Sequence, residues 1–334
     1  MNSPQRLQLL GEWLSAQFPT ESFTLEPASA DASFRRYFRV RFKNSSLVAM
    51  DAPPENEDCK PFVFVCELFR QAGVHVPKIY AKDFDLGFLL LTDFDDKTYL
   101  SALSEENAKA LYLDAIDALI KIQRISAPGV LPEYDETLLR REIDLFEQWY
   151  VAKHLGVTLS ANQHAALISA IDGVIVNNLR QPKVFVHRDY HSRNLMVIVP
   201  NPGILDFQDA VYGPITYDLA SLFKDAYIKW DEEKILDWVV RYWEKAKRAD
   251  LPVTSDFGDF YRDFEWMGVQ RHLKVLGIFA RLYYRDGKAG YLNDLPLVAE
   301  YLRTTCARYR ELEPILVLLD QLEEANPRRV GHSL

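Results

Sequence analysis

His187, Asp189 and Asn194 fall within eight residues of one another, and Asp206 follows twelve residues later. These residue types suit one chemistry in particular. A loop aspartate can accept the proton of a substrate hydroxyl. An asparagine five residues on can offer its amide oxygen to a divalent cation, and a second aspartate can hold the cation that bridges nucleotide phosphates. Asp189 is therefore the expected base, and Asn194 and Asp206 are the expected Mg²⁺ ligands of an ATP-using site.

Such groups need rigid elements to hold them. Lys183–Val186 reads as a strand, 187–194 as a polar loop, and Leu195–Val199 as a second strand. Pro200-Asn201-Pro202-Gly203 reads as a turn, and Ile204 and Leu205 form a third short run before Asp206-Phe207. Apolar runs around Pro, Asn and Gly make this a β-hairpin. His187-Arg188-Asp189-x-x-x-x-Asn194 followed by Asp206-Phe207 matches the kinase catalytic-loop and D-F-G patterns, with Gln208 in place of the glycine. The plain alternative is a polar turn in an unrelated α+β protein. The strand–loop–strand setting favours the catalytic reading.

The rest of the composition agrees with an enzyme acting on small molecules. The 334 residues are enough for two well-buried subdomains. A net charge of −9 argues against nucleic acid or an anionic membrane as the main partner. Cys59, Cys66 and Cys306 are widely spaced, suggest neither a disulfide framework nor a zinc site, and fit a reducing cytoplasm. The first residues lack a signal-peptide pattern, and no apolar window reaches about 18 residues, so no membrane span is expected.

In the first third, Leu7, Leu10, Trp13, Leu14 and Phe18 recur at helical spacing, and that helix ends before Pro19. Phe38, Val40 and Phe42 alternate with Arg39 and Arg41, giving a strand over residues 37–42 with one buried face. Leu47–Met50 is another strand. Ser29–Ser33 between strands could cover nucleotide phosphates, with Ser33, Phe34, Arg35 and Arg36 as contacts, although it has no glycine; a plain turn is the alternative. Val48-Ala49-Met50-Asp51 puts Asp51 where a protein kinase carries its phosphate-binding lysine. Lys60, Arg35 and Arg36 are the candidates to supply that charge. Glu67, in a helix closed by Gly73, could pair with such a cation or simply face solvent. The apolar run Gly87–Phe94 would be a hinge, with Thr92, Asp93 and Phe94 gripping the adenine.

The remainder reads as helical. Ala108, Leu111, Ala115, Leu119 and Ile122 form one apolar stripe, and residues 138–150 form another helix. Ser160 and Gln163 make a capping box for a helix running to about Leu179. Gly213-Pro214 reads as a turn. Asp218 opens an apolar helix, where it either caps the N-terminus or hydrogen-bonds back to the catalytic loop. Trp266, Val269, Leu273 and Leu276 sit at core spacing in a long helix capped by Ser255-Asp256. Gln270, Arg271 and His272 flank that stripe and could reach a substrate, as could His191, Arg193 and Asp209.

Residues 187–194, 204–209 and Tyr217–Leu222 together resemble the aminoglycoside phosphotransferase/choline kinase superfamily. Ser29–Val40, Val48–Pro54 and Leu89–Phe94 resemble more narrowly the bacterial cell-wall amino-sugar kinases. The resemblance implies an α+β, protein-kinase-like bilobal fold, with a small β-rich N-lobe (1–94) and a larger helical C-lobe (95–334). It implies phosphorylation of the anomeric hydroxyl of N-acetylmuramate and N-acetylglucosamine with ATP and Mg²⁺ in peptidoglycan recycling. The sugar 1-phosphate would pass to a uridylyltransferase, and the enzyme would be a cytoplasmic monomer. Two other readings stand beside it. One is an antibiotic kinase, against which the scattered acids and the cations Arg271, His272, Arg281 and Arg285 argue. The other is a pseudokinase that binds without turnover, which the missing glycine loop and lysine favour and the retained Asp189, Asn194 and Asp206 oppose.

Overall fold

The computed structural model describes residues 3–30 and 34–325. In chain order the elements begin with α1 (Ser3–Gln17), β1 (Thr24–Ala30), β2 (Arg36–Arg41), β3 (Ser46–Asp51), α2 (Cys59–Gln71), β4 (Ile79–Asp83) and β5 (Phe88–Thr92). They continue with α3 (Tyr99–Ala102), α4 (Ala108–Arg124), α5 (Glu136–Leu145), a π-helix (Phe146–Leu155), α6 (Ala161–Leu179) and β6 (Lys183–Val186). Next come β7 (Leu195–Met196), β8 (Gly203–Ile204), β9 (Val211–Pro214), α7 (Tyr217–Phe223) and α8 (Glu232–Arg248). The last are α9 (Phe257–Asp286), α10 (Leu295–Cys306) and α11 (Glu313–Ala325). The fold class is α+β, as expected, and no described helix is long and apolar enough to cross a membrane.

The chain forms two compact units. The first takes residues up to Thr98 together with Leu195–Asp209, and the second takes Tyr99–Asn194 and the chain from Ala210 onward. This division differs from the boundary at residue 94 read from the sequence, because the β7–β8 hairpin joins the first unit. Met196 bridges Thr98, the Val197 N–H donates to the Lys97 carbonyl (2.8 Å), and Gly203 bridges His75.

In the first unit, five antiparallel strands run in the order β1-β2-β3-β5-β4. Leu10 and Leu14 of α1 pack with Phe38, Val40, Ala49, Phe88 and Leu90 of the sheet in one apolar core. Strand β2 departs from the one-sided pattern expected of it. Arg39 is buried, bound to Asp93 (2.6 Å) and Asp96 (2.9 Å), so a charge lies where alternation alone predicts solvent.

In the second unit, β6 pairs with β9, so Gly213-Pro214 ends a strand rather than making the expected turn. The 138–150 helix is instead α5 followed by the π-helix, with the change of winding at Leu145 and Phe146. The helix after Ser160 runs to Leu179 with its capping box formed, as its sequence predicts. Helix α9 is the spine of this unit. Nineteen of its residues are buried, and it packs against α5, the π-helix, α6, α7 and α10. Gly277 permits that closeness, since a Cβ there would overlap the main chain of Leu145. Backbone cannot rotate aside as a side chain can, so Gly277→Ala is expected to cost about 3 kcal/mol or more, read as a lower denaturant midpoint.

Candidate active site

The 187–194 loop is fixed from several sides by its own unit. The buried carboxylate of Asp218, in the first turn of α7, accepts the N–H groups of His187 (2.7 Å) and Arg188 (3.0 Å). Thr216, not Asp218, holds the N-cap position, so Asp218 serves the loop. Those two bonds hold Arg188 at φ 77°, a left-handed conformation that a residue with a Cβ adopts at a cost of about 1–3 kcal/mol. Arg271 of α9 donates to the Arg188 carbonyl (3.2 Å). Asp225 accepts the Ser192 N–H (2.9 Å), Tyr190 donates its hydroxyl to Ala115 O (2.8 Å), and Asn194 donates Nδ2–H to Asp189 O (3.0 Å). This last bond fixes which end of the Asn194 amide is oxygen.

Asp189 itself is treated differently. Among the described residues its carboxylate accepts no hydrogen bond, and it is only half-buried. Burial alone would raise its pKa. The charges of Lys274 first, then His191, Arg271 and Arg188, outweigh that and hold the carboxyl well below the usual carboxylate range. The group is ionised, oriented by its backbone and left open to accept a proton. Burial in turn lowers the pKa of His191.

Beneath the loop lies a buried charge cluster. Glu142 of α5 binds Arg188, Lys274 (3.0 Å) and the hydroxyl of Tyr134, and Gln270 donates to Glu142 (3.3 Å). Burial pushes the Glu142 carboxyl up, but Lys274 and Arg188 pull it down to about 2. Sequence reasoning missed Glu142, Lys274, Asp225 and Tyr227. The signal for Glu142 was present, since it shares one helical face with the buried Leu139 and Ile143. A lone acid on an apolar face implies a buried partner.

The residues flagged on α9 divide. Arg271 reaches the catalytic loop, Gln270 joins the Glu142 cluster, and His272 stacks on Tyr301 and contacts the Lys224 carbonyl (3.3 Å). All three are buried rather than flanking the core. Burial drives His272 down to about 3, so it is neutral. Two loop residues point elsewhere: His191 meets the edge of Tyr227 (5.5 Å), and the Arg193 guanidinium lies over the same ring (3.6 Å).

In the first unit, Asp206 has φ 61°, the second left-handed non-glycine residue within these motifs. Phe207 anchors it, fully buried against Phe62 (4.9 Å) and Phe69 (6.0 Å). Gln208, which replaces the expected glycine, donates to Asp206 (2.8 Å) and reaches the exposed Asp209 (3.4 Å). The three candidate cations separate as well. Arg36 is held with Arg6 on the buried carboxylate of Asp51, and Lys60 is exposed. Arg35 pairs with Glu57 (3.3 Å). Burial would lower its pKa, but Tyr37, Glu57, Asp206 and Asp209 raise it. Arg35 is thus the cation that feels Asp206. Glu67 pairs with Arg70 on an exposed helix face and serves no phosphate cation.

Of the expected nucleotide contacts, Ser33 lies outside the described residues, and Phe34 is exposed. Thr92 Oγ1 accepts the Lys78 N–H (3.1 Å), Asp93 binds Arg39 and Ser46, and Phe94 packs on His75 (4.8 Å). All three side chains are thus engaged within the first unit. No group of three or more acidic, His or Cys side chains arranged for a metal occurs among the described residues.

The Glu142 cluster has a measurable signature. Its folded carboxyl titrates at about 2 against an ordinary 4.5, so its stabilisation is complete above pH 4.5 and fades as the pH falls toward 2. Glu142→Gln leaves Lys274 and Arg188 buried without their anion. It is expected to cost about 3–5 kcal/mol at neutral pH, and urea titrations should show a smaller acid-induced loss than in the unaltered chain.

Comparison with known proteins places this geometry in a family. The phosphotransferase enzyme family model matches residues 24–254. The N-acetylmuramate/N-acetylglucosamine kinase of Neisseria meningitidis is 51% identical, over 95% of this chain and 96% of that protein. Its Pseudomonas aeruginosa counterpart is 50% identical, over 97% and 99%. Among solved structures, choline kinase from Streptococcus pneumoniae superposes with a TM-score of 0.64 at 13% identity, covering 90% of this chain and 99% of that one. The GDP complex of an aminoglycoside 2′-phosphotransferase gives 0.62 at 14%, covering 91% and 99%. The structural likenesses speak for the fold, and the family model and near full-length relatives go further: this chain belongs to the phosphotransferase enzyme family.

Proposed function

We propose that the protein transfers the γ-phosphoryl group of ATP to the anomeric hydroxyl of N-acetylmuramate and N-acetylglucosamine. The observation that carries this reading is the roughly half identity, over almost the entire chain, to relatives named for that activity. The ionised, unbonded carboxylate of Asp189 supports it.

Asp189 takes the proton as the sugar oxygen forms its bond to phosphorus and the bond to ADP breaks. Asn194 and Asp206 would offer oxygens to Mg²⁺, which would supply charge neutralisation at the phosphates. Arg35, steadied by Glu57, adds the positive charge that Asp51 cannot, with Ser33, Phe34 and Arg36 on the same phosphate-covering segment. The main chain of Thr92–Phe94 receives the adenine. On the acceptor side Arg271 holds the loop, while His191 and Arg193 face the sugar; Asp209 belongs with Asp206 and Gln208 instead. The sugar 1-phosphate product suits a uridylyltransferase of cell-wall recycling in the cytoplasm, and the enzyme acts as a monomer.

The test is transfer from labelled ATP to N-acetylmuramate, N-acetylglucosamine and kanamycin. Both sugars should give an acid-labile 1-phosphate, and transfer to kanamycin alone would overturn the proposal. Asp189→Asn should lower kcat by about 10²–10⁴-fold while titration calorimetry still detects ATP binding.

A further inference from the structure

Arg193, in the loop that carries Asp189, is held against an aromatic surface. Its guanidinium carbon lies over the Tyr227 ring, 3.6 Å from its centre, and 5.8 Å from the centre of Tyr291, and its side chain is 42% exposed. The nearest carboxylate oxygen, on Asp294, is 3.9 Å away, beyond hydrogen-bond length. Among the described residues Arg193 donates no hydrogen bond, and its one ion pair, with Asp294, is long (3.9 Å), so its N–H groups are left to meet a ligand. Stacking fixes the plane of a guanidinium and leaves the N–H edges that match a carboxylate.

The platform beneath it is built. Asp225 accepts the N–H of Tyr227 (3.2 Å) and that of Ser192 in the catalytic loop (2.9 Å), so one buried carboxylate sets both. Tyr227 stacks on Phe279 (5.9 Å), which meets Tyr291 (5.1 Å), forming an aromatic ledge. His191 ties the ledge back to Asp189. Its ring meets Tyr227, its N–H donates to Asp189 O (3.0 Å), and its buried Nδ1 has no partner among the described residues. Aromatic faces take the C–H face of a sugar, and an unpaired imidazole nitrogen takes a hydroxyl.

We infer that Arg193 is the specificity-determining residue of the acceptor site, binding the lactyl carboxylate that N-acetylmuramate carries and N-acetylglucosamine lacks. This rests on the amino-sugar kinase reading above. Arg193 stands four residues after the base in a loop closed by its own hydrogen bonds, as befits a reader of a substituent on the ring whose anomeric hydroxyl reacts.

A chemical double-mutant cycle tests it: the full-length wild type and Arg193→Gln, each with N-acetylmuramate and with its neutral lactyl amide. Glutamine keeps a polar stem over Tyr227, and a thermal melt checks its folding. The wild type should prefer the acid to the amide by about 10–100-fold in kcat/KM, as one charge-assisted hydrogen-bonded pair implies. Arg193→Gln should lose that preference, and the ratio of N-acetylmuramate to N-acetylglucosamine turnover should fall by the same factor. A wild type indifferent to amidation, an unchanged preference in the variant, or a raised KM for ATP with equal losses on both sugars would overturn the assignment. The first arm needs no variant to fold. Failure of the wild type to phosphorylate either sugar would instead overturn the reading on which the assignment rests.

Discussion

The left-handed backbone at Arg188 is the constraint around which the second unit is arranged. Such a conformation persists only when its surroundings over-determine it. Here they do, with Asp218 gripping two N–H groups, Arg271 gripping the carbonyl and Glu142 gripping the side chain. The return is at the next residue. Asp189 is aimed entirely by its backbone, and its carboxylate can stay unbonded.

That arrangement requires charge to be handled in the interior. Lys274, Arg188 and Arg271 face Glu142, Asp189 and Asp218 in the same buried region, three cations against three carboxyls. Burial drives Asp218 up to about 7, with the two backbone bonds pulling the other way. Near neutrality this carboxyl sits close to its titration point, so Asp189 and Glu142 are the firmer anions. A buried set of this kind adds little net stability, and its worth lies in geometry.

The residues of the candidate site were legible in the sequence because loop chemistry requires particular residue types at fixed spacing. His187 to Asn194, Asp206-Phe207 and the Ser160 capping box all announce themselves locally. What stayed hidden depends on partners far away in the chain. Arg39 reads as a solvent-facing strand residue until Asp93 and Asp96, more than fifty positions on, are seen to receive it. The same holds for Lys274, which sits in an apolar helix whose periodicity says only that its neighbours are core. Strand β9 was missed because Gly213 and Pro214 carry turn chemistry, whereas Tyr134 packed on Gly213 and β6 alongside override it. Asp51 showed that a lysine was missing, and only the structure showed that Asp51 gathers Arg6 and Arg36 while Arg35 feels Asp206.

Because Leu195–Asp209 belongs to the first unit, that unit is not a continuous stretch of chain. A fragment cut after Thr98 would lack Phe207, leaving Phe62 and Phe69 without their aromatic partner and Phe94 without Gly203 beside it. During synthesis the first 98 residues must therefore wait, with this apolar surface uncovered, until more than a hundred others have been made. The two units are distinct as folded bodies, yet the first cannot finish folding before the whole Tyr99–Asn194 stretch of the second has been translated.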